Sequence, residues 1–299
     1  MKMKKLPLQK ILLGAICAIL LVSCGSDADD QENIDNEVFD PNSSLNTIFD
    51  GKIFSIPSPV QTAYLIKQLN LPFDASLLND DASVGNYVTE YKQSLNLGIY
   101  GTDLGYSALY DQKNVTMKYL TSVEKLTAEL GLDAAFDTSF LTRFESNSGD
   151  EDSMILLMSQ AFRQADNFLK QANRKSTSAL ILTGGWIESL YFACELNAKK
   201  PSPDIERRIG EQKRTLNSII DILTEYNNEG SNDGLIAEME SLKVSFDKVT
   251  VTYEYSAPET DEKKKLTTFH HSLDISIDKV ILDEIRTKIT QIRANIIKA

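Results

Sequence analysis

An all-α fold, an antiparallel bundle of about eight or nine helices, is what this chain of 299 residues predicts. Three observations carry that expectation. Apolar residues recur at helical spacing in segment after segment, two segments open on a Ser-Pro pair suited to a helix start, and no stretch repeats at the period of a helical solenoid. Several segments of about 20 residues or more, joined by short connections, suit a bundle better than a stacked array.

The elements follow in order. SPVQTAYLIKQLN has Ser58 as N-cap and Pro59 at the first helical position, and Leu71-Pro72 stops it. Ser83 to Gln112 is one long apolar-rich segment, and NVTMKYLTSVEKLTAELG closes on Gly131, a natural residue just past a helix end. A short helix over Ser139 to Ser146 precedes DEDSMILLMSQAFRQADNFLKQAN, whose leading acids favour the positive end of a helix dipole. STSALILTGGWIESLYFACELN is the least polar stretch beyond the N-terminal region, so it and 83–112 are expected at the centre. Ser202-Pro203 opens the next helix, with Ile205, Ile209, Leu216, Ile219, Leu223 and Tyr226 along one face. Gly234 to Phe246 keeps helical spacing, whereas Val249 to Tyr255 alternates like a strand; the segment is read as helix with an uncertain end. A polar loop containing Pro258 leads to the last helix, Ile277 to Lys298, striped by isoleucines.

The chain opens MKMKKLPLQK, with four Lys and no acid, and continues into ILLGAICAILLV. An apolar run of about a dozen residues is short for a bilayer span, and the pattern is that of a signal peptide over 1–23. Leu21-Val22-Ser23-Cys24 resembles the bacterial lipobox, in which the Cys becomes the first mature residue and carries the lipid. The resemblance implies that Cys24 is a membrane anchor; the other reading is a short membrane helix with an incidental Cys. Residues 24–50 hold eight acids and no Lys or Arg, the composition of a disordered tether. The acids just after Cys24 are similar to the surface-export signal of Bacteroidota lipoproteins, which implies the outer membrane and leaves both its cell surface and its periplasmic face open. Residues 51–299 make the all-helical domain.

Of three cysteines, Cys17 lies in the signal peptide and Cys24 is the anchor, so Cys194 is expected as a buried small hydrophobe. Neither a disulfide nor a Cys-based zinc site fits that inventory. The net charge is −12, and losing the signal-peptide lysines makes the chain more acidic still. That balance argues against nucleic acid as a partner.

Signals of catalysis are few. The two histidines, His270 and His271, are adjacent, so they point apart and make a poor metal pair. No H-E-x-x-H, G-x-S-x-G or phosphate-cradling glycine loop occurs. NNEGSNDG lacks calcium-loop spacing and reads as a turn. No cofactor and no metal is expected.

Three polar or aromatic features remain as candidates. Glu188 is the only charge between Lys175 and Glu195, so it is either a buried carboxylate, with a raised pKa unless a cation meets it, or a residue at the helix edge. Arg143 is a possible partner for Glu188 or for an anionic ligand, or else a surface pair with Glu145. Gly98, Gly101 and Gly105 fall within about 60° of one another on a helix, and Tyr91 continues their stripe. The face either packs closely on Gly184-Gly185-Trp186 or seats a ligand beside Tyr91, and packing is preferred because well-packed cores hold few cavities.

The lipobox, acidic tether and helical body, with LNLGIYGTDLGY and GGWIESLYFA, resemble all-helical lipoproteins of Bacteroidota. The resemblance implies an address and no activity. Imelysin-like lipoproteins are set aside, since their G-x-H-x-x-E motif has no counterpart. The expected function is a non-catalytic binding or interaction module at the outer membrane, held by the lipid on Cys24, with a protein or small molecule as partner. A carboxylate-based hydrolase or lyase of the cell envelope is the alternative, and two carboxylates in an open pocket would favour it.

Overall fold

The computed structural model describes residues 45–298 except 50, 51, 57, 58, 69, 137, 138, 148, 149, 262 and 269–271. Cys24, His270 and His271 lie outside the described residues. The chain is mostly helical, as expected, with nine α-helices among those residues: α1 (Pro59–Gln68), α2 (Glu90–Leu109), α3 (Lys113–Glu129), α4 (Phe140–Ser146), α5 (Glu151–Gln171), α6 (Lys175–Lys199), α7 (Pro203–Glu225), α8 (Asp233–Phe246) and α9 (Lys279–Ile297).

The central pair is α2 against α6. Both are apolar around most of their circumference, and α2 is buried from Ser94 to its end. Among the described residues α6 is the one helix long and apolar enough to cross a bilayer, yet most of it is covered by its own fold. The two run parallel: Glu90 meets Thr177, Thr102 meets Gly185, and Tyr106 meets Phe192. Helices α3 and α7 run antiparallel to this pair, as Gln93 to Glu129 shows for α2–α3 and Trp186 to Gln212 with Asn197 to Glu206 for α6–α7. Chain connectivity explains the difference, because α3, α4 and α5 return the chain to its starting end before α6 begins.

Glycine makes the central contact possible. A Cβ on Gly98 would overlap the Ile181 carbonyl oxygen and the Gly185 nitrogen, and one on Gly184 would overlap the Leu95 carbonyl. Only residues without a side chain let the two backbones come this near.

Four boundaries differ from the sequence expectation. The segment 83–112 is not one helix: a 3-10 turn, Asp81–Asn86, precedes α2, which starts only where the Thr89 hydroxyl accepts from Lys92 N at 3.2 Å. Tyr87 therefore sits before the helix, although it is fully buried and donates to the Ile297 carbonyl at 3.2 Å. Folded structure begins before residue 51, since β1 (Leu45–Phe49) pairs with β2 (Lys52–Ile56) and Phe49 is buried against Tyr226. The uncertain end after α8 is strand β3 (Thr250–Glu254), as its period of two indicated. In place of a plain polar loop before α9, β3 pairs with β6 (Ser272–Ser276) and β4 (Glu259–Asp261) with β5 (Leu266–Thr268). Helix α9 is N-capped by Asp278, and Ile285, Ile289, Ile292 and Ile296 are buried.

Candidate functional site

Three ionisable side chains from three helices meet inside the bundle. Glu188 of α6 and Asp103 of α2 are fully buried, and Arg293 of α9 is nearly so. The Arg293 fork grips Glu188 with both arms: Nε donates to Oε2 at 2.5 Å and Nη2 to Oε1 at 2.7 Å. Nη2 also donates to the Leu77 carbonyl at 2.9 Å, and the guanidinium lies over the Tyr191 ring, 4.3 Å from its centre. Burial works against the charge on Arg293, but the adjoining Glu188 outweighs it and raises the pKa further.

Asp103 is the third member. Its Oδ2 accepts from Asn79 N at 3.2 Å, while Oδ1 has no donor. Burial first, and the neighbouring Glu188 second, push its carboxyl well above the usual carboxylate range. Both causes favour the protonated form of Asp103 beside the Arg293–Glu188 pair. Asn79 extends the network, accepting from the Tyr119 hydroxyl at 2.5 Å through its carbonyl.

A pH dependence follows. Unfolded Asp103 titrates near 3.8 and folded Asp103 higher. Between those values unfolding releases a proton, so this group's contribution to stability falls as pH rises. Asp103→Asn should remove that slope. Urea midpoints of wild type and variant at pH 4 and pH 8 should diverge, with the variant relatively more stable at the higher pH; parallel slopes would show Asp103 already ionised in the fold.

All three side chains are shut away from solvent by the helices around them. Glu188 and Asp103 are closed off by packed helices, where with Arg293 they tie α2, α6 and α9 together. An apolar opening lies elsewhere, between α2, α3, α4 and α5. A pocket of about 450 Å³ is walled by Leu104, Leu120, Val123, Phe136, Phe140 and Met158, with the exposed acids Glu124 and Asp133 on its edge. A smaller lobe of about 50 Å³ continues inward to Gly101 and Phe162, sharing Val123, Phe136, Met158 and Ala161 with the main pocket. Its size is that of a small-molecule site, and its lining is of the apolar kind that buries most of such a ligand.

The residues singled out in the sequence do not form one site. Gly98 packs against α6, while Gly101, on the flank of the same helix, faces the Phe162 ring and the pocket lobe. Gly105 is buried. Tyr91 lines a separate polar cleft of about 600 Å³ with Glu90, Arg174 and Thr177; burial, aided by Glu238, raises its hydroxyl to about 12. Trp186 is buried and donates from Nε1 to Gln212 at 2.9 Å, a role in packing α6 on α7. Arg143 does not reach Glu188: its guanidinium lies over Phe140 on its own helix, and Arg293 takes the place proposed for it. Cys194 is buried, and its thiol is pushed upward by burial, away from reactivity.

Two members of the buried cluster were missed, though each left a signal. Asp103 is the only charge between Lys92 and Asp111, the same argument that singled out Glu188. Arg293 falls four residues after Ile289 and three before Ile296, on the buried stripe of α9. The pocket left no comparable signal, because its walls come from several separate segments.

Among the described residues no group of His, Cys, Asp and Glu is placed to hold a metal ion. No protein-family model, curated protein or solved structure matches this chain.

Proposed function

We propose that the chain is a non-catalytic binding module, anchored at the outer membrane by lipid on Cys24, and that the pocket between α2, α3, α4 and α5 seats a small apolar molecule. The single observation that carries this is the separation of chemistry from access. The core carboxylates, Asp103 and Glu188, are fully buried, whereas the roomy pocket is walled mostly by hydrocarbon, with Thr127 among its lining and carboxylates only at its edge. A carboxylate hydrolase needs the reverse arrangement. Met158, unbranched and adaptable, lets such a lining fit more than one ligand shape.

The binding half is tested by filling the pocket. Ala161 lines both lobes and is half-buried. Wild type should bind a neutral naphthylamine probe saturably, with a rise in fluorescence, and Ala161→Trp should abolish the rise while leaving the melting temperature within a few degrees. Undiminished probe binding in the variant would remove the pocket from consideration.

The anchoring half is tested separately. Cys24→Ala should move the protein from the membrane fraction to the soluble one, because multiple acyl chains contribute roughly 0.8 kcal/mol per buried CH₂ and their loss leaves little else to hold it. A variant still wholly in the membrane fraction, with no bound partner, would overturn the lipid anchor.

A further inference from the structure

The segment from Thr250 to Ser276 leaves the bundle as an arm only two strands wide. Every residue from Thr250 to Thr268 whose burial is described is exposed. At the root, Ile275 reaches α7 and presses on Gly210, where a Cβ would collide with it. Val251, Tyr253 and Tyr255 alternate along one face and are 39%, 55% and 73% exposed. They share that face with Ile275, which stands opposite Val251 across the ladder. A two-stranded ribbon is marginal alone, and an unpaired edge is a template for another strand.

We propose that β3 is a self-association edge: the arms of two copies of this chain pair antiparallel, β3 against β3, about a twofold axis at Thr252, making a four-stranded sheet. Backbone geometry limits the choices. N–H and C=O groups along β3 point alternately toward β6 and away from it, so only residues of like parity can stand opposite one another. Centred on Thr252, the pairing sets Val251 against Tyr253, Thr250 against Glu254 and Thr252 against itself. Aromatic–β-branched and Thr–Thr neighbours are favourable cross-strand pairs, and no like charges meet.

The other edge rejects the same operation. The middle residue of β6 is Asp274, so full-length self-pairing there would set two carboxylates face to face. Sliding β3 to centre on Glu254 fails for the same reason. Pairing β3 with β6 of a second copy is head-to-tail and builds an open chain, whereas β3 with β3 closes about its twofold axis. Long-range charge favours the closed form too. Antiparallel arms carry each tip, with Lys263, Lys264 and Lys265, past the root of the partner's arm toward the partner's bundle, in a chain whose net charge is −12.

Full-length protein in detergent tests the pairing and its register. Thr252→Cys should link to its own copy under mild oxidation, because opposed residues lie about 4.5–5.5 Å apart at Cα. Asp274→Cys should not link above the wild-type background; Cys194, being buried, adds none. In sedimentation equilibrium wild type should be a dimer. Thr252→Lys, which sets two ammonium groups opposite each other, should raise the dissociation constant at least about tenfold, with the helical circular dichroism unaltered, and Asp274→Ser should leave it unchanged. A monomeric wild type, a dimer indifferent to Thr252→Lys, or linking through Asp274→Cys in place of Thr252→Cys would each overturn the proposal.

Discussion

Replacing Arg293 by alanine is expected to destabilise the fold by about 3–5 kcal/mol, the usual cost of stranding a buried charge. The guanidinium makes three hydrogen bonds at 2.5–2.9 Å, two to Glu188 and one to the Leu77 carbonyl. Its loss leaves Glu188 and Asp103 in the core with no cation beside them. Glu188→Gln is milder but not silent, because a neutral amide leaves the guanidinium buried without its counter-charge. The double change Glu188→Met with Arg293→Met removes both charges and should cost less than Arg293→Ala alone. Urea denaturation of the set measures this directly; a loss under about 1 kcal/mol for Arg293→Ala, the range of an exposed ion pair, would mean that water reaches the cluster.

The second large effect is expected at Gly98. Alanine is the better helix former by about 1 kcal/mol, so Gly98→Ala on an open helix face would stabilise. Here its Cβ would overlap backbone atoms of Ile181 and Gly185, which belong to a buried helix and cannot rotate away. The expected result is a loss of about 1–3 kcal/mol or more, the opposite sign. Gly101→Ala is the control. Its Cβ would meet only the tip of the Phe162 ring at 2.9 Å, and that ring borders open space. It can swing aside, so the change should be near neutral. Equal midpoints for the two variants would show that α2 and α6 are not in backbone contact.

Much of the secondary structure was legible before any coordinates. Pro203 opens α7, Gly131 takes the left-handed conformation past α3 at φ 65°, and the isoleucine stripe of α9 faces inward. The glycine stripe of α2 was legible as a close-contact surface, but not its division of labour. Helical angle placed Gly98 and Gly101 on neighbouring flanks; which flank met a helix and which met a pocket depended on where α5 came to lie. The strand character of Val249 to Tyr255 was visible in its alternation, yet a strand needs a partner, and that partner lies some twenty residues on, beyond Pro258.

By itself the sequence determined what is local: the helical period of nine segments, their caps and stops, an odd charge in each of two apolar helices, and the acidic composition of residues 24–50. Each depends on residues a few positions apart, so each can be read along the chain. Tertiary structure alone decided who meets whom. Glu188 and Arg293 are 105 residues apart, and no spacing rule links them. The parallel course of α2 and α6 was set by three intervening helices, and the pocket by walls drawn from both sides of that detour. Such pairings are chosen by the summed burial of whole helix faces, a property that no short stretch of the chain contains.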